Sequence, residues 1–189
     1  MTIKQQIMRA LGIIALIGSV TIVGSVGTSR PAPALAATCT TANSMLISFP
    51  DLRIDAGYRN QIQGRSFQYA VDLPTATSST GWTTGRPSQT EITFVKAWDE
   101  QSPVLFQALT TARRLNSVEF SFVNTSTNVV CRTVKLVTAA NGAPVLVSHI
   151  DQSAGRDGGV ESVSLAFQKV SISDGANTTT WDYSTNVTQ

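Results

Sequence analysis

Beyond residue 44 the chain alternates apolar and polar positions with a period of two, the spacing of a strand with one buried face. In RSFQYAVDL, Phe67, Tyr69, Val71 and Leu73 fall on one side, and Ser66, Gln68 and Asp72 on the other. Val118, Phe120 and Phe122 alternate with Ser117, Glu119 and Ser121 in SVEFSFV. Val130, Val134 and Leu136 share a parity in VVCRTVKLV, which leaves Cys131 on the opposite, more polar face. APVLVSHI and VESVSLAFQKVSIS continue the theme, rich in β-branched residues. In the second of these the apolar parity changes from Val163, Leu165 and Phe167 to Val170 and Ile172, which predicts a bulge near Gln168 and Lys169. The Asn-Gly pair of AANGAP predicts a hairpin between its flanking strands, and SAGRDGGV and SDGAN read as further turns. Residues 74–90, PTATSSTGWTTGRPSQT, read as a long polar loop, of a length that marks function or disorder. Short strands at this spacing suggest a β-barrel or sandwich.

The period changes once, in TFVKAWDEQSPVLFQAL. Ile92, Phe94 and Trp98 alternate as a strand. Ser102 is then placed to cap a helix, with Pro103 in its first turn, where a missing N–H costs nothing. Val104, Leu105, Ala108, Leu109 and Ala112 form one apolar stripe. Asp99 and Glu100 complement the positive end of the helix dipole, and Arg113 and Arg114 the negative end. The pattern is therefore a mainly β body covered by a single amphipathic α-helix.

The front of the chain belongs to a different class. Lys4 and Arg9 precede a charge-free apolar run at residues 11–27, followed by Pro31, Pro33 and the small residues Ala34 and Ala36. That order predicts a secretory signal peptide at residues 1–36, cleaved to leave a secreted, extracytoplasmic chain from Ala37. The alternatives are an uncleaved membrane anchor or a lipoprotein acylated at Cys39. A short tail (residues 37–44) then leads into one domain at residues 45–189. Cleavage removes Lys4, Arg9 and Arg30 and no acid, leaving eleven basic residues against 12 acidic ones. A near-neutral chain has no electrostatic footprint for nucleic acid, nor for a membrane surface. Cys39 and Cys131, the two cysteines, form an even pair in an oxidising compartment and are expected to be bridged.

Few residues suggest chemistry. His149, the sole histidine, stands two residues before Asp151 on one strand face, an arrangement of base and orienting carboxylate that lacks a nucleophile. A solvent-facing strand end explains it more simply. Asp151, Asp157 and Glu161 could offer oxygen ligands to calcium, without the spacing of an EF-hand. Asn124, Asn177 and Asn186 open Asn-x-Ser/Thr triplets of the kind a Thr-rich chain produces by chance. The expectation is of no catalytic residue, no metal and no cofactor.

ITFVKAWDEQSPVLFQAL resembles the strand, Asp, Ser-Pro, helix segment of the hemolysin-coregulated protein (Hcp) family of type VI secretion, with Asp99, Ser102 and Pro103 at its motif positions. VESVSLAFQKVSIS is similar to that family's late strand, in which an acidic residue precedes a Ser-Leu step, an aromatic and a Lys. RIDAGYRNQIQGRSFQYAV looks like its early segment, and the three occur in the family's order. The resemblance implies a small antiparallel β-barrel of two sheets with one helix packed alongside. It further implies a non-enzymatic subunit that joins copies of itself in hexameric rings, stacks them into a tube, and carries a protein cargo or effector. Residues 74–90 lie where the family has the extension that contacts neighbouring rings, which makes Ser78, Trp82 and Arg86 the candidate contacts. The chain departs from the family in its signal peptide, its two cysteines, and Ala112-Arg113-Arg114 in place of a Gly after the helix. A monomeric extracellular binding module on the same barrel is the alternative.

Overall fold

The computed structural model describes residue 39 and residues 41–52, 61–156 and 158–188, all within one unit, Leu35–Gln189. The expected signal peptide, residues 53–60 of the family-like early segment and Asp157 lie outside the described residues. Fourteen strands and one helix are present among those described. They are β1 (Ser44–Ser48), β2 (Gln61–Gln68), β3 (Val71–Asp72), β4 (Thr75–Ser78), β5 (Gly81–Thr84), β6 (Ser88–Gln89), β7 (Ile92–Ala97), α1 (Ser102–Thr110), β8 (Ser117–Asn124), β9 (Val129–Val137), β10 (Leu146–Gly155), β11 (Gly158–Ala166), β12 (Lys169–Ser173), β13 (Thr178–Asp182) and β14 (Val187–Thr188).

The expected barrel of two sheets is corrected to one large sheet. Ten strands pair in the order β10-β11-β7-β2-β1-β8-β9-β12-β13-β14, antiparallel throughout, and two small ribbons, β3-β6 and β4-β5, stand outside it. The alternating positions do what their period requires. Ile47, Ile62, Phe94, Phe120, Leu136, Val163 and Leu165 come from six strands into one buried core. Phe120 takes both Phe67 and Phe94 edge-on, at ring separations of 5.0 and 5.7 Å.

Two local expectations gave way to long-range pairing. No bulge lies at Gln168 and Lys169. The strand breaks there, and its two halves join distant parts of the sheet, β11 beside β7 and β12 between β9 and β13. The break does restore one buried face, with Phe167 and Val170 both in the core. The Asn141-Gly142 turn also forms, with Gly142 at φ 80° and Gly142 N–H bonded to Ala139 O. It does not close a hairpin, because β9 pairs with β8 and β12 while β10 pairs with β11.

The helix appears where the Ser-Pro step predicts it, with Leu105 and Ala108 buried and α1 against β10. Its caps differ from expectation. Gln101, not Ser102, is the N-cap residue, and no side chain caps the helix; neither the first turn holds an acid nor the last a base. Arg113 and Arg114 donate instead to the carbonyls of Asp51 and Gly142. Ala112 stands at φ 46°, with Arg113 N–H bonded back to Ala108 O at 2.9 Å. That left-handed stop suits glycine, and alanine adopts it at a cost of about 1 kcal/mol.

Residues 74–90 are not a structureless loop. They hold the β4-β5 hairpin, which Ser78 Oγ stitches by donating to Gly81 O at 3.0 Å. All eight strand residues are exposed, and Trp82 keeps 72% of its surface in solvent. β2 ends at Gln68, so Val71 and Leu73 continue its parity beyond the large sheet and are exposed.

Candidate functional site

Ile92 and Phe94 point inward from β7, and Lys96 continues their parity. Its side chain is 0% exposed, as is that of Glu161. The sheet register explains their meeting, since Lys96 lies directly across from Glu161, and Glu161 across from Gln152. Three strands thus deliver one row of polar side chains, and the start of α1 adds a fourth element. Lys96 Nζ bonds Glu161 Oε1 at 2.8 Å, Asp99 Oδ1 at 2.7 Å, Ser102 Oγ at 3.1 Å and Ala97 O at 2.8 Å. Ser102 Oγ donates to Glu161 Oε1 at 2.9 Å, and Gln152 Nε2 to Glu161 Oε2 at 2.9 Å. Asp99 Oδ1 also accepts Gln101 N–H at 2.9 Å, so Asp99 serves the helix start by a hydrogen bond.

A serine 3.1 Å from a lysine amine invites comparison with a nucleophile and its base. Here the amine is held by two carboxylates and donates to the serine, whose own proton goes to Glu161. The cluster works as a clamp that ties β7, β10, β11 and α1 together. Sequence reading singled out Asp99, Ser102 and Glu161 but passed over Lys96 and Gln152. The signal for Lys96 was present in its parity with Ile92 and Phe94.

The other sequence candidates stay apart. His149 and Asp151 are both exposed on β10, and no hydrogen bond joins them. Glu161 is committed to Lys96, and no group of three metal-ligating side chains occurs among the described residues. Asn124 Oδ1 accepts N–H bonds from Ser126 and Thr127, bracing the turn between β8 and β9.

Cys39 and Cys131 form a disulfide across 92 residues of sequence, with Cα atoms 5.0 Å apart. Cys131 owes its position to a register shift between β8 and β9, where Phe122 faces Arg132 and Val123 faces Val130. The shift moves Val130 off the face of Val134, so the simple parity assigned to this strand holds only from Arg132 onward. The bridge stands at the rim of an open concavity of about 1050 Å³ whose apolar lining includes Phe67, Tyr69, Phe122, Val134 and Ile172. Burial first, and then the Tyr183 hydroxyl 2.9 Å away, push the Tyr69 phenol above its ordinary range.

A ten-stranded antiparallel sheet with a single helix entered through an Asp, Ser-Pro step, and locked to a late-strand glutamate, defines a class of protein. The sequence profile of the family described as type VI secretion system effector, Hcp, matches residues 53–173, and the chain belongs to that family. Solved structures agree in fold. Hcp1 from Salmonella typhimurium superposes with a TM-score of 0.63 at 14% identity, covering 79% of this chain and 100% of that one. A type six secretion system protein gives 0.65 at 17% identity, with 77% and 99% covered. The secreted protein Hcp3 from Pseudomonas aeruginosa gives 0.54 at 18% identity, with 74% and 96% covered. No curated protein sequence gives a significant match.

Proposed function

We propose that this chain is an exported, non-enzymatic Hcp-like protein, released from its signal peptide, that assembles into hexameric rings and stacks them to carry a protein effector. The observation that carries the reading is the β4-β5 hairpin. A two-stranded ribbon with both faces in water is marginal by itself. This one also presents Trp82 uncovered, and Val71 and Leu73 of the segment leading into it are exposed as well. Such a patch calls for a neighbour. Ring closure needs a heterologous contact, one surface of each subunit against a different surface of the next, and a near-neutral chain offers little repulsion to it. Ser78, Trp82 and Arg86 are assigned to the contact between rings. The apolar concavity beside the disulfide favours the second reading, a monomeric binding module.

Removing residues 78–86, or changing Trp82→Ala, is expected to leave hexamers intact and to abolish their stacking. Negative-stain microscopy of both variants checks this. Tubes of normal length from the shortened protein would remove the hairpin from the inter-ring contact.

A further inference from the structure

The buried clamp reaches solvent at the start of α1, through Asp99. An open cleft of about 450 Å³ lies there, lined by Trp98, Asp99, Ser102, Pro103, Phe106 and Gln152. Its charge is unbalanced. Asp99 is the charged side chain of its lining, and behind it, among the described residues, Lys96 pairs with both Asp99 and Glu161, a cluster of formal charge minus one. Asp99 is 39% exposed, and its Oδ2 accepts no hydrogen bond among the described residues. Two aromatic side chains stand at the same cleft, Trp98 at 46% and Phe106 at 55% exposure. Trp98 is not a loose surface residue. Its backbone N–H donates to Gly159 O at 3.0 Å, and its ring lies so close to Gly159 that a Cβ there would fall 2.3 Å from the indole Cδ2. The indole is therefore a fixed plate, braced on one side by β11 and still open to solvent.

We propose that this cleft binds an arginine side chain presented by a partner polypeptide other than this chain. A cation is attracted both by the open Oδ2 of Asp99, whose Oδ1 alone is held by Lys96, and by the negative face of an aromatic ring. Arginine fits better than lysine because its planar guanidinium stacks on an indole while its N–H fork reaches a carboxylate oxygen. The fixed indole lowers the ordering cost of binding. The inference is independent of ring stacking, since none of the hairpin's residues lines the cleft.

The probe is a capped pentapeptide with one central arginine, titrated calorimetrically into the chain from Ala37, with the indole N–H resonances followed by NMR. Saturable binding that moves the Trp98 resonance is expected, weakened at least tenfold when citrulline, neutral and of similar shape, replaces arginine. Asp99→Asn and Trp98→Ala are each expected to weaken it at least tenfold. Phe106→Ala, at an exposed position that leaves the fold intact, is expected to weaken it severalfold. Equal binding of the citrulline peptide, or a response unchanged in both Asp99→Asn and Phe106→Ala, would overturn the proposal. So would self-association that vanishes in Phe106→Ala, which would give the cleft to a second copy of the chain.

Discussion

Replacing Lys96 with methionine is expected to lower the unfolding free energy by about 3–5 kcal/mol. The side chain is fully buried, so the loss is not that of a surface ion pair. Glu161 would keep its position with no cation against it, holding only Ser102 and Gln152 as donors. Charged groups taken from water need partners, and the cost falls mostly on the partner left behind. The double variant Lys96→Met/Glu161→Leu is therefore expected to recover most of that loss, because it removes both charges from the interior. Urea unfolding of the three proteins makes the comparison. A single substitution costing under about 0.5 kcal/mol, the range of ordinary surface changes, would contradict the clamp.

The second large effect is reduction of the Cys39–Cys131 bridge. The bond closes a segment of 92 residues, and the chain-entropy relation gives about 4.6 kcal/mol for a loop of that size. Beyond Asn43, whose N–H bonds Val123 O and whose Oδ1 accepts from Thr125, the bridge is what pins this end of the chain to β9. Reductant is expected to lower the midpoint of thermal unfolding in the native chain and to leave a Cys39→Ser/Cys131→Ser variant unchanged. Full labelling of both thiols in the folded, unreduced protein would exclude the bridge.

These two features were unequally legible in sequence. The cysteines could be paired by counting, given an exported chain. Lys96 could not be placed by residue type, because a lysine in a strand ordinarily faces water. Only its parity with Ile92 and Phe94 pointed inward, and its partner lies 65 residues away, brought opposite by the β7-β11 register. Alternation located the strands and the Ser-Pro step located α1, since both signals are local. Ser102 illustrates the limit. It is expected as the helix cap, but Gln101 takes that position, Ser102 is the first residue of α1, and its hydroxyl serves Glu161, a tertiary partner, instead of the helix N-terminus. The Asn141-Gly142 turn and the break after Phe167 fail in the same way. Turn chemistry and parity describe the chain at a point, whereas strand neighbours are chosen by the whole sheet. The β4-β5 hairpin was hidden for a third reason: its strands bury nothing, so no apolar alternation marks them.

Native mass spectrometry of the chain from Ala37 tests self-assembly most directly, because it counts subunits without depending on any one contact. A hexamer that persists on dilution into the micromolar range, and higher multiples of six in the protein with an intact hairpin, is the expected result. A monomer at every concentration, including those at which the arginine peptide still binds, would contradict ring assembly and leave the family's fold in a chain that works as a single copy.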